Sequence, residues 1–486
     1  MSRRRAPTRP RALLLLPTTL VCLISILLFL SVNTFPAIGN DSVLYIAHSR
    51  DIAAGGWVQD GFRQVGYPLA LYVVRGVAGT FGAEPLLAMV ILQRALVGFV
   101  CVLAFWRWRW WSLPLLAFLL APGNIAYTDQ VLTEGLGLSL AVLTMMGAVA
   151  YVDVVRSDPS GQRRTLGGVL IALVSLSALS LYMLRFTYAV FVVAPLVLCV
   201  VAWKSQHRSR ALLAGVSLIL LAGSFTVVLT LENRDELGVA SPSSGSLPAH
   251  YYYAWQQVFA VNPENTSDPD LAVFYDDGFV HAFSRTVSAA GVHYSEQADL
   301  YESEIRSMFA AAEISLVGSQ LKSITWSLAG GRLHDVSGVV SRVLSSTRSD
   351  VDQTVYLNSF ALDNGKQAFA DEFNDGAPVG SLITNPAGVR IPIPAAQRLT
   401  SLLLPLAIVV MLVGLFSNET RSLATVGLLV VLGTAVGVGV IRADNYRFLI
   451  ASSAAGMTVA SAILPSVVRS VTSMVRRENR NRCLTT

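Results

Sequence analysis

Apolar residues fall along this chain in long runs separated by short polar connections. The first run covers residues 13–32. Nine more approach or reach the ~17 to 25 residues that a helix needs to cross a hydrocarbon core: 86–105, 112–127, 131–152, 166–184, 186–203, 211–231, 399–416, 422–441 and 448–468. The third and sixth of the full set are short. The run 13–32 follows Arg3, Arg4, Arg5, Arg9 and Arg11, as a secretory signal would. At 20 residues, leaving through Asn33, Thr34 and Phe35, it is longer than a signal core and lacks the small-residue exit, so it reads as a retained first helix.

The basic residues set an orientation, because cytoplasmic loops hold the excess of Lys and Arg. With the N-terminus inside, alternate loops carry Arg107 and Arg109; Arg156, Arg163 and Arg164; Lys204, Arg208 and Arg210; then Arg421. The tail adds Arg469, Arg476, Arg477, Arg480 and Arg482. A missed or invented span would break this alternation. The expectation is an all-α transmembrane bundle of about ten helices with both termini cytoplasmic. Residues 1–231 would form a module of seven helices with a first external loop at 33–85. Residues 232–398 would form an extracytoplasmic domain, and 399–486 three further helices and a basic tail. Within the large loop the stretch 296–316 reads as helical, between Pro, Gly and Ser punctuation at 241–248 and 374–394.

Composition agrees with this pattern. Only 14% of the 486 residues are charged and 53% are hydrophobic, whereas soluble domains carry roughly a quarter charged. The net charge of +5 is segregated rather than spread into a basic face. Residues 232–398 hold 20 acidic against 10 basic residues, leaving 11 acidic against 26 basic elsewhere. Nucleic acid is therefore not an expected partner, and membrane lipid is. The four cysteines lie in three apolar runs and the tail, without disulfide or zinc spacing.

Chemistry-bearing residues gather on the side opposite the basic loops. In the first external segment Asp41, Tyr45 and His48 are spaced i, i+4 and i+7, so a helix would line them on one face against the membrane. Asp41 can equally cap that helix, and His48 alone reads as a surface or interfacial histidine. Asp129 and Glu134 flank the start of the fourth run. A carboxylate one turn into an apolar run costs ~2.5 kcal/mol or more to insert, so it usually faces a cavity; the competing account has Asp129 capping and Glu134 snorkelling to the interface. Arg185, Arg442 and Arg447 lie outside against the usual charge bias. Guanidinium groups bind phosphate bidentately and stay charged, which suits a lipid phosphate; pairing with Asp444 or Asp129 is the alternative. The aromatic group His250, Tyr251, Tyr252, Tyr253 and Trp255 reads as an interfacial belt before it reads as a sugar platform. No phosphate-cradling glycine loop, HExxH or GxSxG pattern is present.

These residues, in this order, resemble the GT-C superfamily of membrane glycosyltransferases, especially the bacterial branch related to protein O-mannosyltransferases and lipid A aminoarabinose transferases. The resemblance rests on Asp41 after the first span, Tyr45, Ala47, Gly55 and Gly56, and the run Gly66, Tyr67, Pro68, Leu69. Asp129 with Glu134, Arg185, and Asn445, Tyr446 and Arg447 complete it. It covers the first ~200 residues and, more loosely, the last ~50. The resemblance implies a polyprenyl-phosphate sugar as donor and a cell-envelope glycan, lipid or protein as acceptor, with inverting transfer on the extracytoplasmic face of the plasma membrane. Asp41 would be the base, Asp129 and Glu134 would position hydroxyls, and Arg185, Arg442 and Arg447 would hold phosphate beside Tyr45, His48 and Tyr67. No cofactor is required by this reading; a divalent metal is compatible with the family, although Ser42 stands where many relatives have a second acid. A secondary transporter, or a non-catalytic cell-envelope scaffold on the same fold, are the competing classes.

Overall fold

The computed structural model describes residues 36, 40–55, 64–121, 124–125, 127–128, 131–158, 163–203, 207–237, 251, 254, 294–311, 315–328, 393–441 and 449–485. Among them every regular element is a helix. In chain order these are α1 (Asn40–Ala53), α2 (Gly66–Thr80), α3 (Pro85–Trp108), α4 (Leu113–Leu119), α5 (Thr133–Ser157) and α6 (Arg164–Leu184). Then come α7 (Val193–Val201), α8 (Arg208–Leu237), α9 (Tyr294–Ala311), α10 (Leu316–Leu328), α11 (Ile393–Gly414), α12 (Arg421–Ile441) and α13 (Ile450–Thr485). Tighter 3₁₀ turns, Arg109–Ser112 and Phe186–Val192, precede α4 and α7.

Among the described residues six helical segments are long and apolar enough to cross a membrane: Pro85–Leu119, Thr133–Ser157, Thr165–Leu184, Arg208–Glu232, Arg421–Val440 and Ile450–Ser473. Phe186–Val201 and Leu402–Gly414 are shorter apolar helices. The first of these short helices gains reach from its 3₁₀ half, whose rise of about 2.0 Å per residue gives the pair a length of about 27 Å. The run 13–32 lies outside the described residues.

The run 112–127 takes an unexpected form. Its helix α4 has seven residues, and it begins where Arg109, at φ 57°, turns the chain back from α3. The Gln93 side-chain amide then donates to the Thr128 carbonyl at 3.0 Å. Gln93 lies 15 residues above Trp108, about 22 Å along the helix, so the segment after Arg109 climbs back beside α3. Non-helical backbone at that depth survives only when enclosed by protein. Asn124 Nδ2 accordingly donates to the Phe118 carbonyl at 2.6 Å, Thr128 Oγ1 bonds the Ile125 carbonyl at 2.5 Å, and both residues are buried.

Burial orders the helices from centre to periphery. The apolar window of α13 is 78% buried and that of α5 67%, against 22% for α8, so α13 and α5 form the axis and α8 faces lipid. The outward faces of α13 carry small residues, Ala451, Ser452, Ser453, Ala454 and Ala455, which are all buried. Such residues let α13 pack closely on α5, α11 and α12. Between α5 and α6, Thr144 Oγ1 donates to Ser177 Oγ at 2.9 Å, a bond that apolar surroundings strengthen.

The basic loops gather at one end. Arg107 pairs with Asp153, Arg156 donates to the Glu419 carbonyl, and His207 Nε2 lies 3.2 Å from the Asp158 carbonyl. Trp106, Trp110 and Trp203 are exposed there, as aromatic side chains are at a membrane interface. This clustering is what alternation of the loops demands. In vesicles of known sidedness, Phe81→Cys, in the exposed α2–α3 connection, and Arg163→Cys, in the α5–α6 connection, are therefore expected to react with an impermeant maleimide from opposite sides. Labelling of both from one side would break the alternation.

Candidate functional site

At the end opposite the basic loops, the N-terminus of α5 meets the C-terminus of α6. Glu134 sits in the first turn of α5 and is fully buried. Arg185 follows the last residue of α6 in extended backbone, φ −162° and ψ 134°, with its side chain 13% exposed. Arg185 Nη1 donates to Glu134 Oε1, and Thr133 Oγ1 donates to Glu134 Oε2 at 3.2 Å. Antiparallel helices bring opposite dipole ends together, so the carboxylate sits at a positive helix end and the guanidinium at a negative one. The snorkelling account of Glu134 is thereby replaced by burial and pairing. Asp129 and Asp444, the alternative partners for the outer arginines, lie outside the described residues.

Three glycines let neighbouring elements close on this pair. A Cβ at Gly66 would stand 2.6 Å from the Met183 carbonyl, so the start of α2 touches the end of α6. One at Gly135 would collide with the Gln93 amide and stand 3.1 Å from the Tyr127 carbonyl; one at Gly137 would stand 2.9 Å from the Tyr188 ring. Tyr67 is consequently buried beside Glu134, donates its hydroxyl to Gln93 Oε1 at 3.4 Å and meets the Tyr45 ring with centroids 5.0 Å apart. Burial first, then Tyr45 and the Glu134 carboxylate, push the Tyr67 phenol well above its ordinary range, so it stays protonated. α1, α2, α3, α5 and the end of α6 thus converge within one polar cluster.

The expected site residues divide in three. Tyr45, Tyr67, Glu134 and Arg185 are brought together. His48 is buried rather than at a surface, with Nδ1 3.5 Å from the Asp51 carboxylate. Asp41 occupies the first turn of α1, one turn before Tyr45, or about 6 Å along the axis. Its side chain lies outside the described residues, as do Asp129, Arg442 and Arg447. The aromatic group of the large loop departs from a belt at Tyr251, which is fully buried against Tyr301 with centroids 5.6 Å apart. Burial, with Glu304 and Tyr301 adding to it, raises the Tyr251 phenol, and burial raises the Glu304 carboxyl. Among the described residues no three His, Cys, Asp or Glu side chains gather as a metal cluster would.

Sequence reasoning passed over Gln93 and Arg94, both buried in α3. The signal was present: a charged residue beside an amide inside an apolar run marks a functional position by the same rule that singled out Glu134. It also passed over Gln64, 5% exposed, whose two amide atoms have no partner. Thr187 Oγ1, two residues after Arg185, and Ser49 Oγ are buried and unpartnered as well. Each such group costs about 1–3 kcal/mol if left so.

Comparison with protein-family models, with curated proteins and with solved structures returns no match for this chain. The ion pair makes its own prediction. Glu134→Gln should destabilise the fold by about 3–5 kcal/mol by leaving a cation unpaired in a poorly solvated site. The double variant Glu134→Gln, Arg185→Met should recover much of that loss, as a double-mutant cycle on unfolding in detergent would read. Additive losses would mean that the two side chains do not depend on each other.

Proposed function

We propose that this chain is an integral plasma-membrane glycosyltransferase of GT-C type, with about ten spans and both termini cytoplasmic. It would move a sugar from a polyprenyl-phosphate donor to a cell-envelope glycan, lipid or protein on the extracytoplasmic face. The observation that carries the reading is the buried Glu134–Arg185 pair. It lies at the end opposite the basic loops, within a cluster of tyrosines and amides, where a lipid headgroup can reach it.

The chemistry divides among residues by their surroundings. An acceptor hydroxyl oxygen attacks the anomeric carbon as the bond from that carbon to the lipid phosphate breaks, and the bonding pair leaves on the phosphate oxygen. Positive charge builds at the anomeric carbon and negative charge on the phosphate. The acceptor proton passes to Asp41, the base on the face opposite the leaving group, which makes the displacement inverting. Arg185, held by Glu134 along one edge, offers phosphate a guanidinium that needs no reorientation. Glu134 is tied to Arg185 and is therefore a positioning group rather than the base. Asp129, Arg442, Arg447, His48, Tyr45 and Tyr67 would complete the donor and acceptor sites.

The transporter reading keeps one observation of its own, the buried Arg94 inside α3, since transporters place charges within their spans. One variant separates the classes. Asp41→Asn should lower sugar transfer from a radiolabelled polyprenyl-phosphate sugar by about 10²- to 10⁴-fold, with the melting temperature in detergent unchanged. Full turnover in that variant would remove the proposed base, and solute uptake by reconstituted vesicles without any transfer would replace the enzyme by a carrier.

A further inference from the structure

The large loop was expected to form an extracytoplasmic domain, yet α10 is built inside out for water. It buries Ser319, Ser323 and Ser327, spaced four residues apart on one face, and exposes Val317 at 65% and Leu321 at 57%. Three of its hydroxyls are satisfied within the helix. Ser319 Oγ donates to the Leu316 carbonyl, Ser327 Oγ to the Ser323 carbonyl and, on the exposed face, Thr325 Oγ1 to the Leu321 carbonyl, each at 2.8 Å. A helix that pairs hydroxyls internally and turns Val317 and Leu321 outward, with Lys322 the one charged side chain exposed beside them, suits a lipid boundary better than water.

Its neighbour fixes where it lies. α10 packs along α12, one of the six candidate spans. A Cβ at Gly439 would collide with Ile324 and stand 3.1 Å from the Gln320 carbonyl, so the two backbones approach closely near the end of α12. Gly439 is 18 residues from Arg421, or about 27 Å, close to the far boundary of a hydrocarbon core about 30 Å thick. The exposed side chains of α12 on the same stretch, Val436 at 50% and Val440 at 54%, are apolar as well. Leu328 packs against the bundle core. At thirteen residues, about 20 Å, α10 is too short to cross. Lys322 lies between the two residues that meet Gly439, about 3 Å from the level of Ile441, where a lysine stem can carry its ammonium to the headgroups.

We propose that α10 is seated in the outer leaflet, with Val317 and Leu321 against lipid acyl chains, so that the loop re-enters the membrane beside α12. This holds whether or not the chain is a transferase. The test uses the full chain in liposomes, in a Cys22→Ser, Cys483→Ser background, since Cys101 and Cys199 are buried. Spin labels are placed at Leu321→Cys and Val317→Cys, with Leu432→Cys on the exposed face of α12 and Glu302→Cys on the exposed face of α9 as references. Collision with oxygen relative to a water-soluble nickel chelate should be several-fold higher at 321 and 317 than at 302, approaching the value at 432. Nickel access equal to that at 302 would place α10 in water. A label shielded from both reagents would mean that protein, including a second copy of the chain, covers this face. Either result overturns the proposal.

Discussion

A charge at the edge of a hydrocarbon slab has to find its opposite before it can stay, and the Glu134–Arg185 pair is where this bundle meets that demand. Removing one partner strands the other at a cost of several kcal/mol. Helix–helix contacts inside a bilayer gain little from the hydrophobic effect, so such a pair weighs heavily in fixing which helix ends lie side by side. Once α5 and α6 are locked at that end, the rest follows from close approach. Gly66 admits α2 onto the end of α6, Gly135 admits Gln93, and Gly137 admits the Tyr188 ring. The same pair sets the electrostatic character of the cluster, because its two opposite charges meet there.

Much of this was legible in the sequence, for one reason. An apolar run of about 20 residues has a single stable environment, and loop arginines choose its direction. That argument placed the starts of α3, α5, α6, α8, α12 and α13 within three residues of those observed, while α13 runs on to Thr485, 17 residues past the expected end. Glu134 was legible as a carboxylate one turn inside such a run. Its partner was not, since 51 residues separate it from Arg185 and no local spacing encodes a meeting of two helix ends. Hydropathy also counts composition without asking where backbone hydrogen bonds go. The return segment after Arg109 therefore read as one span, although its described α-helix ends after seven residues, at Leu119. The stretch 296–316 read as one helix because its apolar content runs on past the true break. α9 ends at Ala311 and α10 begins at Leu316, and the second helix belongs with α12.

The cluster and the loop bear on each other through α12. Gly433, on the same helix, approaches Val190 of the 3₁₀ segment that follows Arg185, while Gly439 approaches α10. One helix thus touches both the element that presents the guanidinium and the re-entering helix. A shift of α10 would reach the arginine through two close backbone contacts rather than through a long chain of side chains.

The central place of α13 has a consequence for how the protein is made. α5 is complete when the ribosome has passed residue 157, but the helix that covers it begins only at Ile450, and the short α4 also rests on α13. During most of synthesis the bundle's axis is a half-filled groove of small and polar side chains facing lipid. Such a surface invites wrong partners, so the chain commits to its final arrangement only after α13 has emerged, about 290 residues behind α5, and a product cut short before residue 450 lacks its keystone.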